Sequence, residues 1–195
     1  MTLNQVLLKF YLHPCQAMDA LAEEKTPRFG AIYVLSRGLM LSLLFYLPLY
    51  LLKFKPVSPA YLKIFDTPDY FLYAIFIWPL YGILSWVYLM GIQYLLLRLM
   101  KYKVDFDRLL NLDGLLNLGI GIVILIFDWL MIAIKLHENF VFSGIAHLVI
   151  ADPWTITLSA IFYKKYFKVP VWLTVVSGIL LRILYFPIAM VFIRT

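Results

Sequence analysis

Five stretches of the chain carry about 20 mostly apolar residues each, the length a helix needs to cross the hydrocarbon of a bilayer. They run from about Gly30 to Leu52, Tyr70 to Leu97, Leu112 to Ile134, Phe142 to Tyr163 and Val171 to Ile193. Short polar connections separate them, and no repeat or low-complexity run breaks the order. Ahead of the first, Leu3, Val6, Leu7, Phe10 and Tyr11 follow the i, i+3, i+4, i+7, i+8 spacing of one helix face. That spacing predicts a short amphipathic helix lying at the membrane interface. His13-Pro14 then opens a second short helix ending near Lys25, since proline fits the first helical position. The predicted organisation is an interfacial segment, residues 1–29, followed by a five-helix transmembrane domain, residues 30–195.

Composition agrees. Of the 195 residues, 64% are hydrophobic and 14% charged, against about 25% charged in soluble domains. A soluble fold of this size has too little interior for that much apolar surface, so the class is an all-α integral membrane protein. No secretory signal is read at the N-terminus. The net charge of +6 is assigned to lysines and arginines meeting anionic lipid headgroups, not to nucleic acid, because no basic, aromatic-interleaved soluble module accompanies it. The single cysteine, Cys15, excludes an intrachain disulfide and a cysteine metal site. It is read as an ordinary small side chain, with acylation as the alternative.

Lysine and arginine in short loops set orientation. Lys9, Lys25, Arg28, Arg98, Lys101, Lys103, Arg108, Lys164, Lys165 and Lys168 fall on one side, and Lys53, Lys55, Lys63, Lys135 and Arg194 on the other. The excess predicts a cytoplasmic N-terminus and an outer C-terminus. Trp129, Tyr70 and Tyr163, at span ends, suit interfacial belts.

Five charged residues lie within or at the ends of spans: Arg37, Asp113, Asp128, Asp152 and Arg182. Asp152 stands eleven residues before Tyr163, and Arg182 eleven after Val171. In an antiparallel hairpin both sit about 16 Å from the same edge. An ion pair is predicted, because a lone arginine at that depth is costly and a carboxylate is its cheapest partner. Pro153 follows Asp152 directly. The fourth span is therefore expected to kink or break there, with Asp152 as the N-cap of a new helical segment. The pair is read first as a structural staple fixing the packing of spans four and five, with a transporter-type site, which a broken helix with mid-membrane charge resembles, as the alternative. Asp113 is read as an acidic residue at the start of span three, Asp128 as reaching the outer interface, and Arg37 as snorkelling or meeting Asp113.

No GxSxG, HExxH, CxxC or GxxxxGK[ST] occurs. His13, His137 and His147 are scattered, and Gly119-x-Gly121 reads as small residues for close helix contact. No nucleophile–base pair, metal or cofactor is expected.

The order of segments has a family pattern. A "HP"-led preamble precedes the first span, "YKVDFDRLL" enters the third, and Trp154 and "YKKYFKVP" connect the fourth to the fifth. In these features the chain resembles the Yip-domain family, the Rab/Ypt-GTPase-interacting membrane proteins, in their prokaryotic form. The resemblance implies five spans, a cytoplasmic N-terminus and a non-enzymatic protein that binds partners. The leading expectation is a scaffold or adaptor in a prokaryotic cytoplasmic membrane. It would meet an unidentified protein partner through Arg98, Lys101, Lys103, Arg108, Lys164, Lys165 and Lys168, and self-association is allowed. The alternative is a small permease, or the membrane subunit of a transporter, with its site at Asp152 and Arg182.

Overall fold

The computed structural model describes residues 3–24, 26–56, 66–135 and 140–192. Lys25, Lys63, His137 and Arg194, and the His147 side chain, lie outside what it describes.

The helices fall close to the apolar runs. They are α1 (Leu3–Leu12), α2 (Pro14–Ala22), α3 (Arg28–Leu51), α4 (Tyr70–Leu99), α5 (Phe106–Ala133), α6 (Phe140–Phe167) and α7 (Val171–Phe192). Among the described residues α3, α4, α5 and the Val171–Ala189 part of α7 are long and apolar enough to cross a membrane. Phe76, Leu80, Leu84 and Tyr88 recur along α4 at helical spacing and are all exposed. An apolar stripe facing outward is suited to lipid chains rather than water.

Helix ends are chemically marked. Asp105 caps α5, its carboxylate accepting the Arg108 amide at 2.8 Å. The helix therefore starts six residues earlier than its apolar run, and Asp113 lies two turns inside instead of opening it. Lys53, Lys101, Lys135 and Lys168 adopt φ of 58°, 67°, 60° and 59°, just past the ends of α3, α4, α5 and α6. A left-handed residue there closes the helix, and a lysine also places its cation by the negative end of the helix dipole. Lys101 and Lys168 mark one end of the bundle, here called the basic rim, and Lys53 and Lys135 the other.

α3 and α5 cross at two glycines near the basic rim. A Cβ on Gly114 would stand 2.5 Å from Gly30 Cα, and one on Gly30 would stand 2.5 Å from the Leu110 carbonyl oxygen. Asn111 ties the crossing: its Oδ1 accepts the Gly30 amide and its Nδ2 donates to the Thr26 carbonyl, each at 2.8 Å. Close backbone approach and such polar ties hold helices together where lipid and side chains are equally apolar. Further along, α3 widens into a π-helical turn, Ser42–Tyr46. The Trp129 indole donates to the Leu44 carbonyl in that turn at 2.9 Å.

Two features differ from the sequence reading. α6 is helical throughout, passing Pro153 without a break, so Asp152 does not cap a new segment. A proline removes one intrahelical bond, and α6 tolerates that loss while the Asp152 carboxylate is drawn sideways to Arg182. The second is α1. Its predicted face is buried as expected at Val6 and Phe10, but against the bundle. Phe10 lies over Gly119 of α5 and stacks 6.5 Å from Trp154 of α6, and the Tyr11 hydroxyl donates to the Gly119 carbonyl at 2.6 Å. Gly119 thus leaves room for Phe10, not for another span.

Candidate functional site: a polar belt and a basic rim

Two apolar clusters divide the bundle. One, toward the basic rim, contains Val34, Trp86 and Ile120, and the other contains Leu41, Ala74 and Leu125. Between them, on the same helices, lie Arg37 and Tyr81, and Asn117 stands on α5 within the rim-side cluster, about one turn nearer the rim. All are far from either helix end, so the chain carries a polar belt within its apolar thickness.

α6 and α7 contribute the ion pair. Arg182 Nε stands 2.9 Å from Asp152 Oδ1, with side chains 39% and 18% exposed. α3 contributes Arg37, whose Nη1 donates to Asn117 Oδ1 at 2.5 Å. The Arg37 chain lies over Gly121, where a Cβ would come within 2.7 Å of Nε. Asp113, Asn117 and Gly121 recur every fourth residue, so one face of α5 receives the arginine. Arg37 takes a neutral amide as its direct partner rather than Asp113. Asp113 is within electrostatic reach of both Arg37 and Arg182. Asp128, in the far half of α5, is within reach of Arg37 and of Tyr46. The structure thus brings the predicted charges into one neighbourhood, with Asp152 and Arg182 in direct contact.

Uncharged residues join the belt without a strong signal in the sequence. Gln93 Nε2 of α4 donates to Ser177 Oγ of α7 at 3.0 Å, and both residues are buried. The i+4 step from Asp113 to Asn117 was a legible signal for Asn117. Gln93 and Ser177 had none, since single polar residues in apolar runs are common.

The basic rim is separate. Lys101, Lys103, Lys164 and Lys168 are exposed, and Arg98 is exposed beside the Tyr94 ring, 5.9 Å from its centroid. Arg108 is half-buried in the first turn of α5. Lys165 holds α2 in place: its Nζ is 2.6 Å from Asp19 Oδ1, and the Tyr166 hydroxyl donates to the same carboxylate. These two donors hold the Asp19 carboxyl below its ordinary value of 3.8. A carboxyl lowered by folding adds stability above its unfolded value, and that stability is lost as pH falls through its folded value. Acidification below about pH 4 is therefore expected to loosen α2 first. Hydrogen exchange of the Ala17–Ala22 amides checks this. Asp19→Asn should already exchange faster at neutral pH, and equal protection in both proteins would contradict it.

Among the described residues no group of three or more His, Cys, Asp or Glu could hold a metal ion. The chain is a helical, multi-span protein of the membrane class with an apolar interior crossed by a few polar groups. No family model matches it, and no curated protein or solved structure is significantly similar to it.

Proposed function

We propose that the chain is a non-enzymatic five-span membrane protein of the Yip-domain type. Its N-terminus is cytoplasmic and its C-terminus outer, and it acts as an adaptor that holds a protein partner at the basic rim. α6 supplies the fifth span, since its 28 residues extend about 42 Å. One observation carries the reading. Exposed cations of the α4–α5 and α6–α7 connections share a rim with α2, which buries Ala17, Met18, Leu21 and Ala22 against the bundle and is bonded at Asp19 by Lys165 and Tyr166. A rigid basic platform favours a partner with an acidic surface, and anionic headgroups would fill the margin around it.

Replacing Lys101 and Lys103 with glutamate is expected to remove a stoichiometric partner from the protein purified in mild detergent, with its thermal midpoint lowered only by the small helix-end term at Lys101. An unchanged partner list would contradict the adaptor reading. A permease reading is favoured by a different observation: the Asp152–Arg182 pair is not sealed, with Arg182 39% exposed. It predicts that Asp152→Asn abolishes uptake of a solute without loss of stability.

A further inference from the structure

α1 and α2 form a pair joined by His13 alone. Asp19 of α2 is bonded to Lys165 and Tyr166, at the end of α6. Phe10 and Tyr11 of α1 reach Gly119 and Trp154. Gly119 is thirteen residues along α5 from Phe106, and Trp154 thirteen along α6 from Phe167, each about 20 Å from the rim. The pair therefore descends from the charged rim into the apolar thickness and stops partway, contacting α5 and α6 from outside.

The outward face of α1 agrees. Leu8 and Leu12 are 63% and 65% exposed, while Val6 and Phe10 on the opposite face are buried in the bundle. A helix resting on the surface would turn Leu8 and Leu12 to water, whereas an immersed one turns them to lipid. Asn4 and Gln5 lie in its first turn; Lys9, in its last turn, is half-buried, and its long stem can carry the amine toward the headgroups, while His13 at the joint is exposed.

We propose that α1–α2 is a wedge in the leaflet on the basic side, and that it makes the protein favour bilayers convex toward that side. The spans displace lipid from both leaflets. The pair displaces lipid from one, adding cross-section of helices about 10 Å wide. Unequal areas are relieved by bending away from the crowded leaflet, so insertion is easiest where that leaflet is already stretched. The ligand is a curved lipid surface. The inference rests on the chain's spanning a membrane and is independent of the adaptor reading.

Two measurements test it on the full chain. In a Cys15→Ser background, nitroxides on Leu8→Cys and Leu12→Cys are reconstituted in phosphatidylcholine–phosphatidylglycerol vesicles. Both are expected to be relaxed by oxygen and shielded from a water-soluble nickel chelate, with Lys101→Cys as the nickel-accessible control. Protein carrying a dye at that rim position is then counted on single vesicles, basic side outward. Its density on small vesicles is expected to be at least about twice that on large ones. Leu8→Lys with Leu12→Lys, which alters no contact with the bundle core, should bring the two densities together. Nickel access at Leu8→Cys and Leu12→Cys, or equal wild-type densities at both sizes, overturns the proposal.

Discussion

Gly114→Val is expected to cost about 3 kcal/mol or more, enough to leave little monodisperse protein in detergent. The first added carbon would already stand 2.5 Å from Gly30 Cα and 2.6 Å from the Gly30 carbonyl oxygen. Both obstacles are backbone, so no rotamer change makes room, and α3 and α5 must separate. Separation also breaks the two Asn111 bonds that close the crossing. Gly91 provides the contrast, because nothing lies within 4 Å of a Cβ placed there. Gly91→Ala should be neutral or stabilising by up to about 1 kcal/mol, through helix propensity alone. Thermal midpoints of the two variants in one detergent decide the matter. Similar losses in both would mean that the crossing is not what orders the bundle.

The second large effect concerns the ion pair. Asp152→Asn or Arg182→Gln alone is expected to cost about 3 kcal/mol, the lower end of what breaking a buried pair costs. Each single change leaves one charge without its partner inside the apolar thickness. The double change removes both charges, so its cost should fall short of the sum by about 1 kcal/mol or more. Additive costs would show that the 2.9 Å contact contributes little. An undiminished midpoint in Asp152→Asn, together with lost uptake, would favour the permease.

Helix positions and the pairing of Asp152 with Arg182 were legible in the sequence because both follow from one quantity, the rise per residue of a helix. Counted from the apolar runs, eleven residues on either side of the turn put the two at one depth; in the structure α6 runs on to Phe167, so Asp152 lies four residues further from the turn than Arg182, an offset of about 6 Å that the long arginine side chain spans. What surrounds them was less legible, because it depends on rotation about the helix axes. Arg37 was expected to snorkel or meet Asp113, yet it bonds to Asn117, one turn further along the same face of α5. Gly119 and Gly121 read alike as small residues, but they face different neighbours. Gly119 receives Phe10 and Gly121 receives Arg37.

α1 shows a further limit. Its period identified the face that is buried but not the surface that buries it, since an apolar stripe fits a lipid interface and a helix groove equally well. Pro153 misled in part. A proline predicts a kink or a break from local backbone chemistry, and α6 shows no break, remaining helical through it and pairing with α7 at Asp152. The uncharged pair Gln93 and Ser177 left no mark, because nothing in either run distinguishes a polar residue with a partner from one without.

Partner binding at the rim, with a holding role for the polar belt, is tested most directly by three proteins purified from the native host under one mild detergent: wild type, Lys101→Glu with Lys103→Glu, and Asp152→Asn with Arg182→Gln. The stoichiometry of co-purifying protein is measured by mass spectrometry. The account predicts a stoichiometric partner with the wild type and with the belt variant, and its loss from the rim variant alone. A partner retained by the rim variant, or lost from a stably folded belt variant, would contradict it and move the function into the membrane interior.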